Sequence, residues 1–126
     1  MRLYRKFSGL LDQHYGGAIA IGNFDGLHCG HRKVIETAGN IARKNGIPWG
    51  VLTFEPHPRA FFYQEAPPFR LTPFRSKVRC INEMGVDFII VLRFDTNLAG
   101  MSAEDFLANV LSDGLRARKV VSGSDF

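Results

Sequence analysis

With 126 residues, 45% of them hydrophobic and 11 of them Phe, the chain has the length and apolar content for one compact domain and is not composed like a disordered segment. Sixteen Lys and Arg against 12 Asp and Glu give a formal charge of +4 and an isoelectric point near 9.4. This balance suits small anionic ligands; without aromatic and basic residues interleaved it does not point to nucleic acid. Two Cys are too few for a disulfide framework, and no charged leader precedes a long apolar stretch, so a soluble cytoplasmic protein with no membrane partner is expected.

The first predicted strand, Ala18 to Gly22, is short and apolar enough to be buried in a parallel sheet. It breaks into a glycine-punctuated turn, Asn23-Phe24-Asp25-Gly26-Leu27-His28-Cys29-Gly30-His31. Helical periodicity follows, with Val34, Ile35, Ala38, Ile41 and Ala42 on one face and Asn45-Gly46 before Pro48 as the stop. His28 and His31 therefore fall three residues apart where a helix begins. Unpaired N–H groups and the positive end of the helix dipole favour an anion there, and imidazole donors suit phosphate oxygens. A helical zinc pair would need ligands four apart and a third ligand, which is not evident.

A second strand, Trp49 to Phe54, leads into a loop from Glu55 to Arg70 broken by Pro56, Pro58, Pro67 and Pro68, and loops of this length are often functional. Thr72 and Pro73 then predict a helix start, with Phe74, Val78 and Ile81 inward and Met84-Gly85 at its end. The third strand is Val86 to Leu92. Ser102-Ala103-Glu104-Asp105 reads as a capping-box variant opening a helix with Phe106, Leu107, Val110 and Leu111 apolar and Gly114 at its end. Lys119 to Ser122 is the fourth strand. Four strands with three crossovers predict a doubly wound α/β fold: a Rossmann-like parallel sheet with helices on both faces. Ligands in such sheets bind beyond the carboxyl ends of the strands, and the segments 23–31, 55–58 and 123–126 all fall there.

Gly22-x-Phe24-Asp25-Gly26-x-His28-x-Gly30-His31 resembles the signature of the nucleotidylyltransferase superfamily. Within it, the chain is similar to the N-terminal module of the bacterial bifunctional riboflavin kinase/FMN adenylyltransferases, the FAD synthetases. Leu52 to Pro58, Leu71-Thr72, Gly85-Val86-Asp87 and Ser122 to Phe126 carry the same resemblance. It implies transfer of AMP from ATP to FMN, giving FAD and pyrophosphate with Mg2+ and no covalent intermediate. Such transfers rest on positioning and charge neutralisation, so donors matter more than nucleophiles. By resemblance, His28 and His31 are the catalytic donors. Gly22, Phe24, Gly26 and Gly30 shape the nucleotide cradle, Asp25 orients the turn or a magnesium-bound water, and Gly123 and Asp125 lie near the nucleotide. Phe54, Pro56, His57 and Pro58 would line the flavin side; no residue is assigned as a direct metal ligand.

The family pattern continues past Phe126 with Arg-Phe-Gly, a second phosphate-binding motif and a riboflavin kinase domain. Residues 1–126 are therefore expected to be a truncated adenylyltransferase module whose sheet is incomplete at the C-terminal side and whose own catalysis is weak. Two alternatives stay open: another small-molecule nucleotidylyltransferase, and a non-catalytic nucleotide-binding module.

Overall fold

A computed structural model of the chain describes residues 1–24, 29–55 and 74–123. Its strands are β1 (Arg2–Tyr4), β2 (Ala18–Ile21), β3 (Trp49–Glu55), β4 (Phe88–Arg93) and β5 (Lys119–Ser122). Its helices are α1 (Cys29–Asn45), α2 (Phe74–Glu83), the single turn α3 (Thr96–Ala99) and α4 (Ala103–Phe106). The last runs straight on into a π-helical stretch, Leu107–Gly114. All strands pair in parallel, in the order β1-β4-β3-β2-β5. The doubly wound α/β architecture is as the sequence predicts, with two corrections. A fifth strand, β1, is present at the edge against β4, and the helix opened by Ser102 leaves α geometry after one turn.

The two faces of the sheet explain its sequence. Ala18, Ala20, Val51, Ile89 and Val91 point to one side, where α1 contributes Ile35, Ala38 and Ala42 and α2 contributes Ile81. Ile19, Ile21, Leu52, Phe54, Ile90 and Leu92 point to the other, against Val110, Leu111 and Leu115. Strands covered on both faces read as continuous apolar runs, which is why β2 to β4 are legible without alternation. Gly50 has a specific reason: a Cβ there would run into the Phe88 ring, which occupies that space from the neighbouring strand.

The opposite, amino-terminal side of the sheet is held by polar contacts. Asp87 ties three strand starts together: its Oδ2 accepts from the Trp49 amide at 2.8 Å, its own amide donates to Trp49 O, and its carbonyl accepts from Arg2. His14 is buried, stacks on Phe88 at 4.7 Å and lies 2.6 Å from the Tyr4 hydroxyl through Nδ1. That hydroxyl also accepts from the Leu11 amide, so Tyr4 joins His14 to the main chain at Leu11. Burial accordingly holds the His14 pKa below its ordinary value, outweighing Asp87, which acts in the opposite sense.

Candidate nucleotide and aromatic-ligand site

At the carboxyl end of β2 the ladder finishes with the Gly22 amide donating to Leu52 O at 3.1 Å. The next carbonyl, that of Asn23, accepts from Thr53 Oγ1 at 3.0 Å and from Lys77 Nζ at 3.1 Å. Phe24 then takes a left-handed backbone with φ of 52°, a conformation costing a bulky L-residue about 1–2 kcal/mol. Its ring folds back and is buried. A Cβ at residue 22 would sit 2.9 Å from that ring, so the motif glycine is required by the packing of Phe24 itself. The ring then meets His31 edge-on, with centroids 5.9 Å apart and planes at 86°.

His31 and Gly30 lie in the first turn of α1, which packs across β2, β3 and β5. Because β3 and β5 flank β2 on opposite sides, the start of α1 stands over the point where the strand order reverses, and Gly123 directly follows β5 there. The helix has no acidic residue in its first turn and carries Arg43 and Lys44 in its last. Its own positive end is therefore not neutralised by a first-turn carboxylate, while its negative end is offset. Asn23 Oδ1 is buried with no hydrogen-bond partner among the described residues and remains an acceptor in reserve.

Phe54 goes elsewhere. It faces the other side of the sheet and lines an apolar cavity of about 490 Å3 with Ile21, Phe94, Met101, Phe106 and Ser122. The ring of Phe54 lies 6.1 Å from Phe94 at 89° and 6.2 Å from Phe106 at 47°. Flat walls of this kind, in a cavity of this size, accept an aromatic ligand. The site residues predicted from sequence thus fall into two groups, Gly22, Phe24, Gly30, His31 and Gly123 around the end of β2 and the start of α1, and Phe54 in the aromatic cavity. Asp25, Gly26, His28, Pro56, His57, Pro58 and Asp125 lie outside the described residues. Among the described residues no group of three or more His, Cys, Asp or Glu is placed to hold a metal ion.

Sequence reasoning missed Phe94, Met101 and Phe106 as cavity walls, and Thr53 and Lys77 as braces of the turn. One signal was available: Lys77 is the charged member of the stripe Phe74, Lys77, Val78, Ile81, whose spacing turns it inward.

A family model described as FAD synthetase matches residues 11–126. Curated relatives named bifunctional riboflavin kinase/FMN adenylyltransferase include that of Escherichia coli K12, 37% identical over 127 positions spanning all of this chain and 41% of the relative. The protein of that name from Pseudomonas fluorescens is 38% identical across the whole chain and 40% of its own length. That of Bacillus subtilis is 37% identical over 86% of the chain and 34% of its own length. The chain thus spans about two-fifths of the first two relatives and about a third of the last. Among solved structures, a crystal structure described as a macrolide-efflux protein from Streptococcus pneumoniae superposes with a TM-score of 0.71. It is 25% identical, over 87% of this chain and 39% of that one.

Proposed function

The chain belongs to the FAD synthetase family, and from that membership we propose that it is an adenylyl-transfer module converting FMN and ATP to FAD and pyrophosphate. The observation that carries this reading is the pair of compartments at the carboxyl end of β2. The start of α1 with the Gly22–Phe24 turn offers an anion site, and the cavity of Phe54, Phe94 and Phe106 offers an aromatic one. A molecule that joins a flat tricyclic ring to a phosphate needs both.

In the proposed reaction an FMN phosphate oxygen attacks the α-phosphorus of ATP. A P–O bond forms there as the bond to the α–β bridging oxygen breaks, and pyrophosphate leaves with that electron pair. His31, His28 and the amides of the first turn of α1 neutralise charge on the transferring phosphates, where preorganised donors act most strongly. Gly22, Gly26 and Gly30 let the nucleotide approach the backbone, Phe24 shapes the turn beneath it, Asp25 orients that turn, and Gly123 and Asp125 border the nucleotide. The resemblance assigns Pro56, His57 and Pro58, with Phe54, to the flavin side. Mg2+ arrives with ATP as part of the substrate. The relatives' names further support a riboflavin kinase domain as the covalent partner supplying FMN, and a cytoplasmic setting suits both substrates. Among the described residues no helix is long and apolar enough to cross a membrane.

The test is an FMN titration of the 126-residue chain. Quenching of flavin fluorescence, relieved by replacing Phe54 with Ala, is the expected result. Indifference to FMN with retained ATP binding would instead favour a nucleotidylyltransferase with another acceptor, and binding of ATP and FMN with no turnover in any longer form would favour a non-catalytic module.

A further inference from the structure

We infer that Lys77 is the positioning residue of the nucleotide turn: its buried ammonium holds the Asn23 carbonyl so that Phe24 stays left-handed and its ring sets the orientation of His31. Lys77 stands in α2, far from the motif in sequence, and is only 4% exposed. A buried ammonium loses its hydration and needs oxygen around it. Lys77 Nζ finds Asn23 O at 3.1 Å, Thr53 Oγ1 at 3.3 Å and Phe54 O at 3.4 Å, with Glu55 Oε2 facing it at 3.8 Å. Those oxygens come from the segment just beyond β2 and from the end of β3, so one cation clamps both sides of the site.

The Asn23 carbonyl belongs to the peptide unit that precedes Phe24. With Lys77 Nζ and Thr53 Oγ1 both donating to it, that peptide plane cannot rotate without losing two hydrogen bonds. The φ of Phe24 is measured from this plane, and a bulky residue at 52° persists only where its surroundings over-determine it. The Phe24 ring then fills the space above Gly22 and contacts His31. The coupling runs from ammonium to carbonyl, from carbonyl to backbone angle, and from ring to imidazole. An apolar side chain could fill the same volume in the α2 stripe but could not hold the carbonyl.

The inference rests on the proposed function for the identity of the reaction, and on geometry alone for the orientation of His31. The experiment therefore has two readouts on the 126-residue chain, the nuclear Overhauser contact between the Phe24 and His31 rings and the affinity for MgATP. Lys77→Met should abolish or at least halve the ring contact and weaken MgATP by about 10–100-fold, the scale of a displaced binding group, with Lys77→Arg restoring most of both. A folded Lys77→Met protein with the ring contact intact overturns the inference. If Lys77→Met does not fold, Thr53→Val removes one of the two donors to Asn23 O while keeping the lysine. It should weaken the ring contact, and an unchanged contact overturns the inference equally. A wild-type chain that does not bind MgATP counts against the proposed function, and the ring contact then decides the inference alone.

Discussion

His28 and His31 are the residues on which the proposed chemistry depends most. In a chimera joining residues 1–126 to the remainder of the Escherichia coli relative, His28→Ala or His31→Ala should lower FAD formation about 100-fold or more, the usual scale for removing a preorganised donor. Riboflavin phosphorylation by the same chimera should be unchanged, because that step is assigned to the other domain. Near-normal FAD synthesis in both variants would remove the histidines from the reaction. His14 is a histidine of a different kind. Its folded-state pKa is depressed by burial, so the unfolded chain binds more protons as pH falls. Its contribution to stability is complete above about pH 6.5, the ordinary imidazole value, and is lost as pH drops through the lower folded-state pKa. Thermal melts between pH 7.5 and 5 should show wild type losing stability more steeply than His14→Gln; parallel curves would show that the imidazole binds its proton equally in the folded and unfolded states, with no depression by burial.

At the scale of elements, the flavin reading is tested where a loop and a helix are assigned to the same wall. Phe106→Ala and His57→Ala should each raise the KM for FMN several-fold while leaving that for ATP near wild type. Equal FMN affinity with lowered melting temperatures would make both positions structural. The sequence was most legible for the elements buried on both faces: β2, β3 and β4 are continuous apolar runs, and α1 shows its inward stripe and its Gly46 stop. The elements it hid lack that pattern. β1 is three residues long with two of them exposed, and α3 is a single turn announced only by Asp95, whose side chain accepts from the Leu98 amide. The helix opened by Ser102 was legible through Val110 and Leu111, which are buried, but its π geometry was not, and Leu107 is exposed, because i→i+5 bonding shifts the side chains that α periodicity would align. In the candidate site, the turn after β2 was legible from its glycines, and its braces were not. Lys77 holds main-chain carbonyls, and no residue type in the sequence marks a carbonyl as special.

For the molecule as a whole, the predicted parallel sheet and its switch point are present. Within the described residues β5 pairs on one side only, with β2, and Val120 is 43% exposed. The second phosphate motif of the family pattern is not in this sequence. Residues 1–126 by themselves should therefore bind ATP weakly and form FAD slowly or not at all, as measured by chromatography after incubation with FMN, ATP and Mg2+. Robust FAD synthesis would show that the turns after β2 and β3 suffice.

The place of β1 at the outer edge has a consequence for how the molecule is made. Arg2 to Tyr4 leave the ribosome before their partners Phe88 to Ile90, which emerge seconds later at ordinary rates of synthesis. During that interval β2 and β3, joined through α1, are available to pair, so the nascent sheet should grow outward from its middle. β1 then docks as one of the last of these strands. A substitution in β1 such as Tyr4→Ala, which also strips His14 of its hydroxyl partner, should accordingly speed unfolding while leaving the refolding rate nearly unchanged.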